Sequence, residues 1–422
     1  MQKTGTTIVL SAHDLVGNLY CAHLTGVDLQ VAQGALAKPA RWDPLLDILR
    51  ERGQKHEQAF LDHLRASGFE PLLIDGVDVT DDAVARTRKA MQAGPPIIVQ
   101  AALRDGNWVG RADILRRVEK PSSLGAWSYE IIDTKLARET KGGTVLQLCL
   151  YAQLLTAMQG VEPEYVYVVA PWSDFQPQQF RVADYMAFFR KAQCAAQAAV
   201  DAGDKYTSID YPHPRAHCDV CRWEPQCDAR RRADDHLCLV ANVNTLQMNE
   251  LRANGISTVK ALSEMTVPLA WKPKRGAAAS YIKVREQARI QVEAREGGGL
   301  RYELLDVVPG TGLCLLPPSS AGDVFFDIEG DPFIGEGGFE YLFGYHYRDS
   351  SGEDHYEAQW AFDRASEKKC SNPSWISSLL GALNFPICMF TTMRLMSLPP
   401  SSALWGGMPR AKPRWIISCA AK

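Results

Sequence analysis

No stretch of about eighteen apolar residues occurs anywhere in the chain, so no membrane span is expected. The N-terminal Met-Gln-Lys-Thr-Gly-Thr-Thr-Ile-Val-Leu also lacks the longer apolar core of a signal peptide. Without an export signal, the 11 cysteines point to thiols or metal ligands rather than disulfides, and a cytoplasmic location is expected. A global basic field is missing as well. The net charge is −3, so any contact with nucleic acid must come from local patches. Arg111, Arg116, Arg117 and Lys120 form one candidate patch, Arg230-Arg231-Arg232 a second, and Lys272, Lys274 and Arg275 a third.

Acidic residues disappear from one end. The last 53 residues hold no Asp or Glu, whereas the first 369 hold all 49. At that density about seven would be expected, and Met, Pro, Trp and Ser crowd in their place. Shifting the codons of Phe390 to Leu398 by two bases permits Tyr-His-Tyr-Ala-Pro-Tyr-Glu-Pro, a plausible globular segment. Residues 370–422 are therefore expected to be a frameshifted tail on a truncated protein.

The remainder has ordinary globular composition, 46% apolar and 23% charged, and 422 residues suffice for two or three domains. Residues 42–66 read as a helix, with Asp43 as its cap and Pro44 at its first position. His56 falls on its inward stripe with Leu45, Leu49, Phe60 and Leu64. Strands are expected over 97–103 and 108–118, joined by a hairpin at Asp105-Gly106-Asn107, and over 128–136. Then come a helix over 144–159, a strand over 164–170 and a helix over 184–202. This order argues for an α/β domain with a mixed central sheet. Residues 243–290 read as mostly helical, and 323–329, 339–347 and 354–361 as three strands of a β-meander.

Chemistry concentrates in two sets of residues. Cys21 stands alone near the start, and Cys218, Cys221 and Cys227 follow in a Cys-x2-Cys-x5-Cys run. That run is improbable by chance, and four thiolates would clamp the two ends of a domain around zinc or another metal centre. Between them lie His56, Asp113, Asp133 and Lys135, with Gln147 and Tyr151 one helical turn apart. Two carboxylates and an imidazole suit Mg²⁺ or Mn²⁺, with Lys135 assisting a bound water. Taken singly, each has a plainer reading. His56 would be a satisfied core histidine, Asp133 and Lys135 a solvated strand face, and Gln147 and Tyr151 packing residues. The joint presence of the set is what carries weight.

Residues 8–230 resemble a RecB-like nuclease of the PD-(D/E)XK superfamily, in the branch of the CRISPR-associated RecB-like exonucleases. The resemblance rests on Ser11-Ala12-His13-Asp14-Leu15 before Cys21, Gly53-x-x-His56, Gly110-Arg111-Ala112-Asp113, Asp133-x-Lys135, Gln147-x-x-x-Tyr151 and the closing cysteines. Ala112 replaces the proline of the motif, and Asp133 stands where Glu is more frequent. The resemblance implies a restriction-endonuclease-like mixed-sheet nuclease core over 1–235. In it Cys21, Cys218, Cys221 and Cys227 would hold a 4Fe–4S cluster. The metal ligands would be His56, Asp113 and Asp133, and the catalytic residues Lys135, Gln147 and Tyr151.

The segment 245–266, within a linker over 240–298, resembles a helix-hairpin-helix unit around Asn254-Gly255-Ile256. An ordinary helical linker reads the same residues equally well. Asp323 to Asp331 resembles the first strand of a YprB-type ribonuclease H-like domain over 300–369, in which Asp327 and Glu329 could chelate a metal. That domain is expected to be incomplete and inactive. The arrangement implies a metal-dependent nuclease acting on single-stranded DNA as an exonuclease, with a helicase partner in trans or lost in truncation. The competing reading is a non-catalytic DNA-binding fragment of a nuclease–helicase protein.

Overall fold

The structure, a computed structural model, describes residues 1–40, 44–137, 139–203, 213–315, 323–331, 334, 338–349, 351–371 and 390–392. These fall into two compact units, one of Met1–Glu303 and one beginning at Leu304, in a mixed α/β chain. No helix among the described residues is long and apolar enough to cross a membrane.

The first unit opens with a short hairpin of β1 (Gln2–Thr4) and β2 (Thr7–Val9), then helices α1 (Ala12–Tyr20), α2 (Ala22–Ala32) and α3 (Pro44–Ala66). Pro44 starts α3 as its fixed φ favours, while the expected cap Asp43 lies outside the described residues. Next come β3 (Pro71–Leu73), α4 (Asp81–Ala93), β4 (Ile97–Asp105), β5 (Trp108–Val118), β6 (Ser128–Thr134), α5 (Gly142–Gln159), β7 (Tyr165–Val169), β8 (Gln178–Arg181) and α6 (Met186–Asp201).

Local chemistry accounts for several of these ends. Thr80 Oγ1 accepts the Ala83 N–H at 3.1 Å to cap α4, two aspartates sit in its first turn, and Gly94 ends it at φ +76°. The expected hairpin forms across Gly106-Asn107, with Gly106 at φ +57°.

The six strands of this sheet run in the order β3-β4-β5-β6-β7-β8. The β3–β4 and β6–β7 pairs are parallel, and the other three are antiparallel. α5 covers one face, with Leu148, Leu150 and Leu154 fully buried against Ile98, Leu115 and Ile131. α3 covers the other, setting Phe60, Leu61 and Leu64 on Ile97, Ile114, Ile132 and Val169. Each such side chain contributes roughly 1.5–3 kcal/mol on burial, so both layers are held by apolar packing. At the end of α5, the fully buried Gln159 accepts the Tyr129 N–H at 2.8 Å and donates to the Tyr129 and Val161 carbonyls.

Strict alternation fails at one place. Ile98 and Ala101 both pack in the α5-side core, as do Ala112 and Leu115, although each pair is an odd number of residues apart. The slip falls where Gln100, at φ +56°, faces Asp113 between the Val99–Ile114 and Ala101–Ala112 pairs. The sequence pattern alone predicts regular strands here.

The rest of the first unit is helical: α7 (Glu224–Ala233), α8 (Thr245–Ala253), α9 (Val259–Ser263) and α10 (Ala278–Gly297). Leu237, Leu251, Leu262, Tyr281 and Ala288 make its core. Asn254-Gly255-Ile256 does separate two helices, with Gly255 at φ +81° and the Ile256 N–H bonded back to Leu251 O at 2.9 Å. Residues 264–277 form no helix, contrary to the expected run; Pro268, Pro273 and Gly276 interrupt it.

In the second unit, β9 (Val324–Asp331), β10 (Phe339–Arg348) and β11 (Asp354–Trp360) form the expected antiparallel meander, followed by α11 (Arg364–Cys370). β12 (Phe390–Thr392) lies parallel to β9. Beyond Ser371 and apart from β12, the tail expected to be frameshifted lies outside the described residues.

His236 links the thiol-bearing end of the first unit to its helices. Its Nδ1 faces the Cys238 N–H at 3.1 Å, and the Arg252 guanidinium abuts its other nitrogen. Burial, then the charge of Arg252, push its pKa down to about 4. The folded chain thus keeps this imidazole neutral while the unfolded chain protonates it near 6.5. Stability is expected to fall as pH drops from about 6.5 towards 4. Urea midpoints measured across that window should decline less steeply in His236→Gln than in the parent.

Candidate metal site and thiol cavity

Strand β6 ends on Asp133 and Thr134, paired in parallel with Val168 and Val169. Asp133 is fully buried on the α5 face of the sheet. Its Oδ1 accepts from Gln147 Nε2 at 3.3 Å, and the same amide nitrogen reaches Tyr151 Oη at 3.2 Å. Helical spacing thus places Gln147 and Tyr151 on one face, as expected. Gly110 is required beside them, because a Cβ there would come within 2.5 Å of the Tyr151 ring.

Lys135 lies one residue past the strand, which is shorter than the expected 128–136. Its N–H continues the ladder by donating to Val169 O at 3.0 Å, and its Nζ stands 2.5 Å from Asp133 Oδ2. The ammonium and that oxygen form a buried ion pair. Asp113, on β5, turns its Oδ2 to the Thr134 N–H at 3.0 Å and to Thr134 Oγ1 at 3.3 Å. The break opposite Gln100 gives the side chain room to do this.

His56 reaches the same region from α3. Its Nε2 lies 3.0 Å from Val169 O, the carbonyl that also accepts from Lys135. A carbonyl only accepts, so Nε2 is the donor in this contact. Among the described residues, however, no three His, Cys, Asp or Glu groups are gathered closely enough to hold an ion. The structure brings Asp113, Asp133, Lys135, Gln147 and Tyr151 together; His56 borders them without completing a ligand trio.

Electrostatics bind these groups into one system. Burial, followed by repulsion from Asp113, drives the Asp133 pKa far above the usual carboxylate range, and Lys135 only partly opposes this. Burial works against the Lys135 ammonium, but Asp133 and Asp113 outweigh it and its pKa rises. Tyr151 is also pushed up, by burial first and then by both aspartates. Sequence reasoning passed over Glu57, which follows His56. Its pKa is raised by burial and then by Asp113, and its Oε1 accepts from Gln100 Nε2 at 2.6 Å. Adjacency to His56 was the available signal, though helix periodicity does not point Glu57 inward.

The four cysteines line one small cavity together with His23 and His217, and none forms a disulfide. Cys21 occupies the joint between α1 and α2, Cys218 lies within a short helical turn (Ala216–Val220) that Cys221 ends, and Cys227 lies in α7. Two contacts tie these distant stretches: Arg215 to Tyr20 O at 3.1 Å and Trp223 Nε1 to Asp28 Oδ1 at 3.0 Å. Burial raises the Cys227 thiol to about 11, with Arg231 pulling it down.

Arg231 was expected in a surface patch, yet it is only 2% exposed. Its guanidinium reaches Cys218 Sγ at 3.8 Å and Glu224 at 3.8 Å, while its Nε has no hydrogen-bond acceptor. Its charge is what opposes burial at the Cys227 thiol. Arg116 and Arg117, expected in another patch, stack on Tyr167 and Trp127.

In the second unit, Asp327 and Glu329 are both half-buried and two residues apart on β9, opposite Gly344 and Leu342. The chain matches no model of a known protein family and no curated protein.

Gly110→Ala is expected to overpack the site by forcing Tyr151 aside, costing about 1–3 kcal/mol. Urea denaturation of the variant checks this. A control Gly53→Ala, where a Cβ meets nothing, should be neutral or stabilising.

Proposed function

We propose that the first unit is a divalent-metal-dependent phosphodiesterase, a deoxyribonuclease acting exonucleolytically on single strands, built on a restriction-endonuclease-like core. The observation that carries this reading is the fully buried Asp133, with one oxygen 2.5 Å from Lys135 Nζ, beside the second carboxylate Asp113. Such an oxygen fits a hard cation, and Mg²⁺ is commonly held by one or two carboxylates with water and substrate phosphate completing its shell. His56, bonded to the Val169 carbonyl beside them, is the further donor in this reading.

A bound Mg²⁺ or Mn²⁺ would polarise the phosphoryl oxygen and acidify a water. Asp113 and Asp133 would hold that ion. Lys135, kept charged by both, is placed to orient the attacking water or to steady charge developing on the phosphate. Gln147 fixes the Asp133 carboxylate and the Tyr151 hydroxyl in one geometry, so both face the same substrate position. The lack of a ready three-ligand set among the described residues favours the rival reading, a non-catalytic DNA-binding fragment.

Degradation of end-labelled single-stranded DNA with Mn²⁺ decides between them. Lys135→Ala and Asp113→Ala should each lower the rate by roughly 10²–10³-fold or more, and chelation should abolish it. Activity unchanged in both variants rejects the catalytic assignment.

For the thiol cavity we propose a 4Fe–4S cluster, with zinc on the same four sulfurs as the alternative. Protein purified without oxygen should contain iron and sulfide with a visible charge-transfer band, or else stoichiometric zinc. Cys221→Ser should lose either centre together with several kcal/mol of stability. Parent protein free of all metal would refute the proposal.

A further inference from the structure

Arg231 is the middle one of three consecutive arginines near the end of α7. Its neighbours are exposed and pair with acids one turn away, Arg230 with Asp234 at 3.5 Å and Arg232 with Asp228 at 2.7 Å. Arg231 follows Cys227 by four residues and so shares its face of the helix. That face turns into the thiol cavity, which Arg231 lines together with all four cysteines.

Inside the cavity two donors converge on one sulfur. Cys218 Sγ lies 3.4 Å from the Arg215 backbone nitrogen and 3.8 Å from Arg231 Nη2. Neither group can accept in return, so both contacts favour negative charge on that sulfur. Glu224 also approaches Arg231, at 3.8 Å, but its side chain is 38% exposed and water screens it. The Arg231 side chain is only 3% exposed, so its charge acts on the sulfurs from the interior.

Taking the thiol centre proposed above as given, we infer that Arg231 is its counter-cation, acting through Cys218 from outside the ligand set. Four thiolates leave a net negative charge around zinc and around an oxidised 4Fe–4S core alike, and reduction of the iron core adds one more. A cation fixed beside the sulfur stabilises both, and the reduced state more than the oxidised one. Arg231 thus raises the reduction potential of an iron centre and tightens the hold on zinc.

The test uses the full chain purified without oxygen, as parent, Arg231→Gln, Arg231→Lys and Glu224→Gln, with metal content and circular dichroism measured on each. For iron, a potentiometric titration followed by electron paramagnetic resonance reads the midpoint. Arg231→Gln should lower the reduction equilibrium constant about tenfold, a shift of about 59 mV. Arg231→Lys keeps the charge and should recover most of that shift. Glu224→Gln removes a carboxylate that competes for the guanidinium and should move the midpoint the opposite way. For zinc, competition with a chromophoric chelator replaces the midpoint, and Arg231→Gln should weaken binding about tenfold. A midpoint or zinc affinity in Arg231→Gln equal to the parent's overturns the inference while leaving the centre itself intact. A value in Arg231→Lys as low as that of Arg231→Gln also overturns it, since charge is then not what matters. Should Arg231→Gln not fold, an unchanged value in Glu224→Gln overturns it instead. Parent protein free of all metal removes the counter-cation together with the thiol centre it serves.

Discussion

Burying the Asp133 carboxylate is the constraint around which the first unit is organised. A charged oxygen removed from water costs several kcal/mol unless other groups meet it. Here one ammonium and one amide do so, and a second carboxylate stands close enough to make the cost worse. Packing pays for this elsewhere: α5 is buried nearly all round, and Leu148, Leu150 and Leu154 hold the helix that delivers Gln147. The polar site exists because the apolar layers on both sides of the sheet are strong enough to impose it.

Much of this was legible from periodicity. The helix bearing His56, the β4–β5 hairpin, the strand ending near Lys135 and the helix of Gln147 and Tyr151 each announced themselves by local rules. Those rules are turn chemistry, alternation and 3.6-residue spacing, and they act within a few residues. The mixed α/β class followed from their order.

What stayed hidden depends on contacts between distant segments. The slip opposite Asp113 arises from a left-handed Gln100, a conformation that Gln gives no signal for. Arg231 sits in a run of three arginines that reads as surface, and only the fold shows the middle one turned inward against sulfur. Glu57 escaped notice because periodicity assigned the inward stripe to His56 and left its neighbour to solvent. β3, α4 and β8 carry ordinary capping and alternation signals, but they bear no chemistry that would have drawn attention to them.

Tyr20 joins the two chemical regions of the unit. Its carbonyl is bonded by Arg215, its ring stacks on His217 at 5.4 Å, and its hydroxyl occupies the space a Cβ on Gly143 would need. The cysteine-bearing loop and the first turn of α5 therefore meet on a single residue. A change in how that loop packs therefore bears on the first turn of α5 through one side chain.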